Sequence, residues 1–291
     1  MGGIAIKTLA VFGVGLIGAS FALALKRAGQ VGRVIGVGRS RANLERALAR
    51  GAIDEIAADA RTALSHADLV LVAVPVQQTE RVLSEIAPWI APDAIVTDAG
   101  STKQDVVAAA RRAMGEAIDR FVPAHPIAGA ESSGADAAIA SLYENRLVVI
   151  TPLAQNKATS VDRVRAVWQA CGARVVQMQP KRHDEILAAV SHLPHALAFA
   201  LVDMIARRPD GESLLSYAGA GFRDFTRIAG SSPEMWRDIC MANASALLAE
   251  LAAYQRALDA LAGYIRSGDA AALEALFVSA RDARTRWLAA K

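Results

Sequence analysis

The chain opens on a short unbroken apolar stretch within 7–12, Lys-Thr-Leu-Ala-Val-Phe, and then changes period. Across Ala19-Ser-Phe-Ala-Leu-Ala-Leu-Lys-Arg27 the large apolar side chains return at helical spacing. The first pattern predicts a buried strand and the second a helix packed on it. The same switch recurs, predicting strands at 32–38, 69–74 and 94–98, with helices at 42–50, where Gly51 stops the helix, and at 79–86. Strands alternating with helices make βαβ units and a parallel sheet. Apolar runs at 121–124, 147–151 and 173–177 predict strands that extend the same sheet, with a helix at 160–170 before the last. Beyond Pro180 the strand pattern stops. The remainder of the chain is rich in Ala and Leu at helical spacing, punctuated by Pro194, Pro209-Asp-Gly211, Gly219 to Gly221, Gly230-Ser-Ser-Pro233 and Gly268-Asp269. Ser232-Pro233 reads as an N-cap followed by proline at the first helical position.

Between the first strand and the first helix lie Gly13-Val-Gly-Leu-Ile-Gly18. In such a turn Gly13 allows the tight reversal, Gly15 lets the backbone approach a pyrophosphate, and Gly18 lets helix and strand pack closely, with the phosphates at the helix N-terminus. The expected fold is therefore an α/β, Rossmann-type doubly wound parallel sheet at 1–179, followed by an all-α domain at 180–291. Leu16 and Ile17 inside the turn, and Val74-Pro75 past the strand at 69–74, join the glycines as expected cofactor-binding residues. A site for NAD usually carries an Asp or Glu at the end of the second strand, to accept from the ribose 2′-hydroxyl. Here that position is Gly38, and Arg39-Ser40-Arg41 come directly after it. Two guanidiniums and a hydroxyl suit a 2′-phosphate, so NADP is preferred and NAD stays possible.

Composition narrows the class. The 291 residues suffice for two domains, and 53% hydrophobic against 21% charged residues is a globular balance. The net charge is +3, and arginine-rich pieces such as Arg39 to Arg41 and Arg207-Arg208 are too short for a nucleic-acid stripe. Cys171 and Cys240 stand far apart without a metal-ligand pattern, which fits reduced thiols in a cytoplasmic protein. Neither a signal peptide nor a membrane span is expected.

Candidate chemistry gathers in three segments. Asp98-Ala-Gly-Ser101-Thr-Lys103 lies just past a strand's carboxyl end, the edge where open α/β sheets bind ligands. There Ser101 either touches nicotinamide ribose or substrate, or caps the next helix. His125-Pro-Ile-Ala-Gly-Ala-Glu131-Ser-Ser-Gly134 also lies past a strand, and an imidazole at that edge suits proton transfer. Ser191-His192-Leu-Pro194-His195 holds two imidazoles, with a helix break expected at the proline. No metal site is expected, because the histidines lack an HExxH arrangement.

Taken in order with Gly221-Phe-Arg-Asp-Phe-Thr-Arg-Ile228, Pro233 and Met235-Trp-Arg237, these segments resemble the prephenate and arogenate dehydrogenases of tyrosine biosynthesis over nearly the whole chain. The resemblance implies oxidative decarboxylation of a cyclohexadienyl acid by a Rossmann domain and a helical dimerisation domain. It implies that His125 hydrogen-bonds the ring hydroxyl with help from Ser101, and that Arg227 pairs with the side-chain carboxylate. By the same carry-over His195 and His192 belong to the substrate pocket, with His183 a weaker candidate. Glu131 and Asp224 position Arg227 or gate entry, and Trp236 either closes the site or packs helices. A homodimer through the helical domain is expected, where Leu247, Leu248, Leu251, Tyr254, Leu258 and Leu261 form an apolar stripe. The competing readings are another two-domain hydroxyacid dehydrogenase or imine reductase, and a non-catalytic dinucleotide sensor. Neither needs the His125 loop together with the Arg227 segment. An added regulatory or mutase domain, found in some of these enzymes, is not expected here.

Overall fold

The computed structural model describes residues 6–129 and 134–290. Its apolar runs pair side by side into a six-stranded parallel sheet, ordered β3-β2-β1-β4-β5-β6. The strands are β1 (Ile6–Phe12), β2 (Val31–Val37), β3 (Glu55–Ile56), β4 (Leu69–Val72), β5 (Ile95–Asp98) and β6 (Phe121–Val122). All of β4 is buried, as a parallel strand covered on both faces must be. Five helices connect these strands: α1 (Leu16–Arg27), α2 (Arg41–Ala49), α3 (Ala60–Leu64), α4 (Thr79–Ile86) and α5 (Gln104–Met114). One core layer holds Phe21, Leu69, Leu71 and Trp168, with the Phe21 and Trp168 rings 4.6 Å apart. The opposite layer holds Val70, Leu83, Ile86, Val106 and Phe121.

Of the strands expected at 121–124, 147–151 and 173–177, the first extends this sheet only through Phe121–Val122, and the other two do not join it. Proline has no N–H to give a ladder, and Pro123 ends β6 after two residues. The chain turns into a second, three-stranded sheet of β7 (Ala124–Pro126), β8 (Leu147–Ile150) and β9 (Arg174–Gln177). There β7 runs antiparallel to β8 and β9 parallel to it. α6 (Ala158–Ala170) connects β8 to β9 and buries Val164, Val167 and Trp168.

The helical region departs from expectation as well. α7 (Pro180–Leu187) continues through one π-helical segment, Ala188–His192, into α8 (Leu193–Ala206). The break expected at Pro194 is absent, because proline falls in the first turn of α8, just past the widened segment that absorbs its missing donor. Pro180–Ala206 is thus a 27-residue helical run holding an 18-residue stretch of mean hydropathy 1.5, long and apolar enough by length and composition to cross a membrane. It nonetheless buries His183, Asp184 and His192.

Next in the chain come α9 (Gly211–Ser216), α10 (Ala220–Thr226) and α11 (Pro233–Ala242), and Ser232 caps α11 as expected, accepting from Met235 N at 3.4 Å. The chain forms two compact units, Met1–Ala244 and Ser245–Lys291. The second is a helical hairpin built from α12 (Ala244–Ser267) and α13 (Ala270–Ala289). It turns at Gly268, whose φ of +67° favours glycine, and Asp269 caps α13 through Ala272 N at 2.9 Å.

Candidate active site

The glycine turn assigns each glycine a distinct physical role. Gly13 sits at φ +97°, and a Cβ there would lie 2.3 Å from Ala73 O. A Cβ on Gly18 would lie 2.3 Å from Gly13 O and 2.8 Å from Val11 Cγ1, so this glycine sets the approach of α1 to β1. Gly15 differs, since a Cβ there meets nothing within 4 Å. It is also the N-cap of α1 and supplies no side-chain cap, so the helix presents its first N–H groups to open space. Such a cradle fits the pyrophosphate of a dinucleotide. Leu16 and Ile17 begin the helix, and Val74-Pro75 lies across the turn, with Val74 Cγ1 only 3.1 Å from the place of a Gly13 Cβ.

At the end of β2 the three polar residues part company. Ser40 caps α2 by accepting from Asn43 N at 3.3 Å, and Arg41 pairs with Glu45 at 2.8 Å one turn along. Arg39 is exposed, and with the Gln78 amide turned to accept, both terminal guanidinium nitrogens lie 3.3 Å from its oxygen. Arg39 therefore spans the loops after β2 and β4, at the sheet's carboxyl edge.

A buried ion pair fixes the neighbouring edge. Lys103, fully buried, donates from Nζ to Asp98 Oδ2 at 2.5 Å and to Ala124 O at 2.8 Å. Asp98 also accepts from Gly100 N at 2.8 Å and, through Oδ1, from Ala124 N at 2.9 Å. The end of β5 is thereby tied to the start of β7, one residue before His125. Ser101 lies half-buried at this edge, three residues past Asp98. It does not cap α5: the helix begins at Lys103 without a cap from its own segment. Asp184, from α7, takes that part, accepting from Lys103 N and Gln104 N, each at 2.8 Å.

The same carboxylate begins a line of buried rings. Asp184 Oδ1 lies 2.7 Å from His183 Nδ1, and His183 Nε2 lies 2.8 Å from His125 Nδ1. Burial, with His183, Lys103 and His192 near by, holds the His125 pKa well below the usual histidine value. Burial also lowers that of His183, against the pull of Asp184. Asp184 stays ionised in spite of its burial, because His183 and the two backbone N–H groups favour the carboxylate. His192, in the π-helical segment, is pushed down to about 4, mainly by burial. Its Nδ1 lies 3.1 Å from Asn243 Nδ2, which also donates to Asp184 O at 2.8 Å.

His195 and Trp236 stack with centroids 3.6 Å apart at 19°, and His195 Nδ1 donates to Ser191 O at 2.8 Å. Trp236 is buried, and its indole N–H has no partner among the described residues. Arg227 begins the turn after α10, and its charge acts on His195, whose pKa is lowered by burial first and by that guanidinium as well. Asp224 is exposed on α10 one turn before Arg227. Glu131 lies outside the described residues. The structure thus joins His125 to His183 and Asp184, and His195 to Trp236. Sequence reasoning missed Asp184, Lys103 and Asn243. Asp184 follows His183 directly and Lys103 lies two positions past Ser101, and burial of a charged side chain is the signal that a linear pattern does not carry.

Known proteins share this organisation. Residues 21–177 match the family model for the prephenate dehydrogenase nucleotide-binding domain, and residues 179–279 that for the prephenate dehydrogenase dimerization domain. A prephenate dehydrogenase of Bacillus subtilis is 36% identical over 279 residues, covering 95% of this chain and 75% of that protein. A cyclohexadienyl dehydrogenase of Zymomonas mobilis is 35% identical over 280 residues, covering 96% of this chain and 95% of that protein. The crystal structure of A. aeolicus prephenate dehydrogenase in complex with hydroxyphenyl propionate and NAD+ superposes with a TM-score of 0.91 at 33% identity, covering 97% of this chain and 98% of that one.

Proposed function

The chain belongs to the prephenate dehydrogenase family, and we propose that it oxidatively decarboxylates prephenate, with arogenate as the possible second substrate, at the sheet edge where His125 lies. The observation that carries this reading is a buried imidazole on a strand pinned to the carboxyl edge of a dinucleotide-binding sheet by the Asp98–Lys103 pair, a setting whose burial favours the neutral ring. A nicotinamide cofactor, when bound against the open face of Gly15, supplies a hydride acceptor.

The side chains do the rest. His125 accepts a hydrogen bond from the ring hydroxyl and holds its proton while the same ring carbon gives up its hydrogen as hydride, so that the carbon–oxygen bond gains carbonyl character. As the ring carboxylate leaves as carbon dioxide, its bond electrons enter the ring, and His125 returns the proton to the phenol oxygen. No proton is lost overall. Aromatisation drives the step, so the protein's task is orientation. Arg227 holds the side-chain carboxylate, Ser101 supports the hydroxyl, and His195, His192 and Trp236 shape the pocket. Asp224 and Glu131 set the guanidinium or guard its approach.

The domain boundary falls at 179/180, a placement supported by the meeting of the two family models at 177 and 179. The helical part pairs two copies, consistent with the matched dimerization domain and with Leu248, Leu258, Ile265, Phe277 and Trp287 standing exposed on α12 and α13. The chain works as a soluble cytoplasmic enzyme, a reading supported by the bonds that tie this apolar helical run to the sheet domain, from Asp184 to Lys103 N and Gln104 N and from His183 to His125. For the cofactor, Arg39 favours NADP.

The test is a steady-state matrix of prephenate and arogenate against NAD and NADP, read at the nicotinamide absorbance. Turnover of prephenate is expected, as is a preference for NADP that falls about 10- to 100-fold in Arg39→Ala while NAD binding is unchanged. Failure with both substrates would overturn the function, and a strong wild-type preference for NAD would overturn the role of Arg39.

A further inference from the structure

We propose that His183 and Asp184 are a positioning pair that fixes His125 as the Nδ1–H tautomer, leaving the Nε2 lone pair as the atom that meets the substrate hydroxyl. This rests on the reading of His125 as the base. The direction of each hydrogen bond is dictated by its neighbour. Both oxygens of Asp184 already accept from backbone N–H groups at 2.8 Å, so towards His183 the carboxylate can only accept. His183 Nδ1 must therefore donate. A neutral ring carries one proton, so His183 Nε2 is a lone pair, and at 2.8 Å it must accept from His125 Nδ1. His125 Nε2 is left unprotonated, and it has no hydrogen-bond partner among the described residues.

Burial is the first cause that favours the neutral form of both rings, and the charges packed on them add to it or oppose it. Lys103 at the start of α5 and His192 in the π-helical segment oppose a positive charge on His125, while Asp184 on α7 and Asp98 on β5 act the other way on His183. The arrangement also serves the transfer itself. When His125 takes the proton at Nε2, its Nδ1–H points at a lone pair backed, one ring further, by a carboxylate. The charge that forms is met without moving any group. A third residue orienting a base in this way is the logic of a catalytic triad, here with a second imidazole between base and carboxylate.

Two measurements test it. In the wild-type chain labelled with ¹⁵N-histidine, His125 is expected to show a protonated-type Nδ1 and an unprotonated-type Nε2, and His183 the same pattern, with the signals assigned by their loss in single variants. His125 found as the Nε2–H form overturns the pair. In parallel, His183→Gln places an amide oxygen near the position of Nε2, whereas His183→Asn keeps a polar group only near Nδ1. The Gln variant is expected to retain kcat within about threefold, and the Asn variant to lose about 10- to 100-fold in kcat with KM and cofactor affinity unchanged. Equal loss in both variants, tracking a fall in Tm, would reduce His183 to a structural role and overturn the proposal. Nitrogen shifts are read without turnover, so a wild type inactive on both substrates would overturn the proposed function while the tautomers decided this inference separately.

Discussion

At the scale of single residues, chemistry is set by which charges are buried and which stay wet. Arg227 is exposed and Lys103 is fully buried, and their uses differ accordingly. Lys103 holds backbone in place, whereas a guanidinium such as that of Arg227 is suited to a planar, two-pronged grip on a carboxylate that lysine cannot copy. Arg227→Lys is expected to raise KM for prephenate about tenfold or more while leaving kcat within a few-fold, measured by steady-state kinetics. An unchanged KM would move the grip elsewhere, with Arg223 next. His125 and Arg227 were singled out as candidates from the sequence because motifs carry residue types in order. Asp184 was not, since its partners Lys103 N and Gln104 N are some 80 positions away in the chain and only folding brings them to 2.8 Å.

At the scale of elements, the glycine turn separates packing from binding. Gly13 and Gly18 are demanded by neighbouring backbone, whereas Gly15 faces open space. Gly15→Ala is therefore expected to leave the thermal midpoint unchanged while weakening dinucleotide affinity at least tenfold, read by melting and by fluorescence titration. A lowered midpoint with intact affinity would make Gly15 a packing residue. α1, α2, α4 and α6 and the strands β1, β2, β4 and β5 obey patterns that the sequence displays, because each is a local period. Where expectation failed, a single proline was misjudged through its surroundings. Pro123 diverts the chain into a second sheet, and Pro194 is tolerated because the preceding π-helical segment gives it room. Neither outcome is encoded at the proline itself. The diversion has a consequence for the site, since it places His125 on a strand that is anchored to Asp98 instead of continuing the ladder.

At the scale of the whole molecule, the proposed function requires a cofactor cradle, a neutral base and a carboxylate grip to serve one substrate. The histidines also link the site to pH. Because the folded-state pKa of His125 lies below that of the free side chain, the active neutral form persists to lower pH, and activity is lost only as pH falls through that lowered value. The acid limb of kcat thus belongs below the usual histidine range near about 6.5. The most direct measurement is the pH profile of kcat for prephenate in the wild type and in His125→Asn, with cofactor affinity measured alongside. Expected are one acid-side ionisation in the wild type, its disappearance in the variant, a fall in kcat of about 10² to 10⁴, and nearly normal cofactor binding. A variant that kept most of the wild-type kcat, together with its acid limb, would contradict the account.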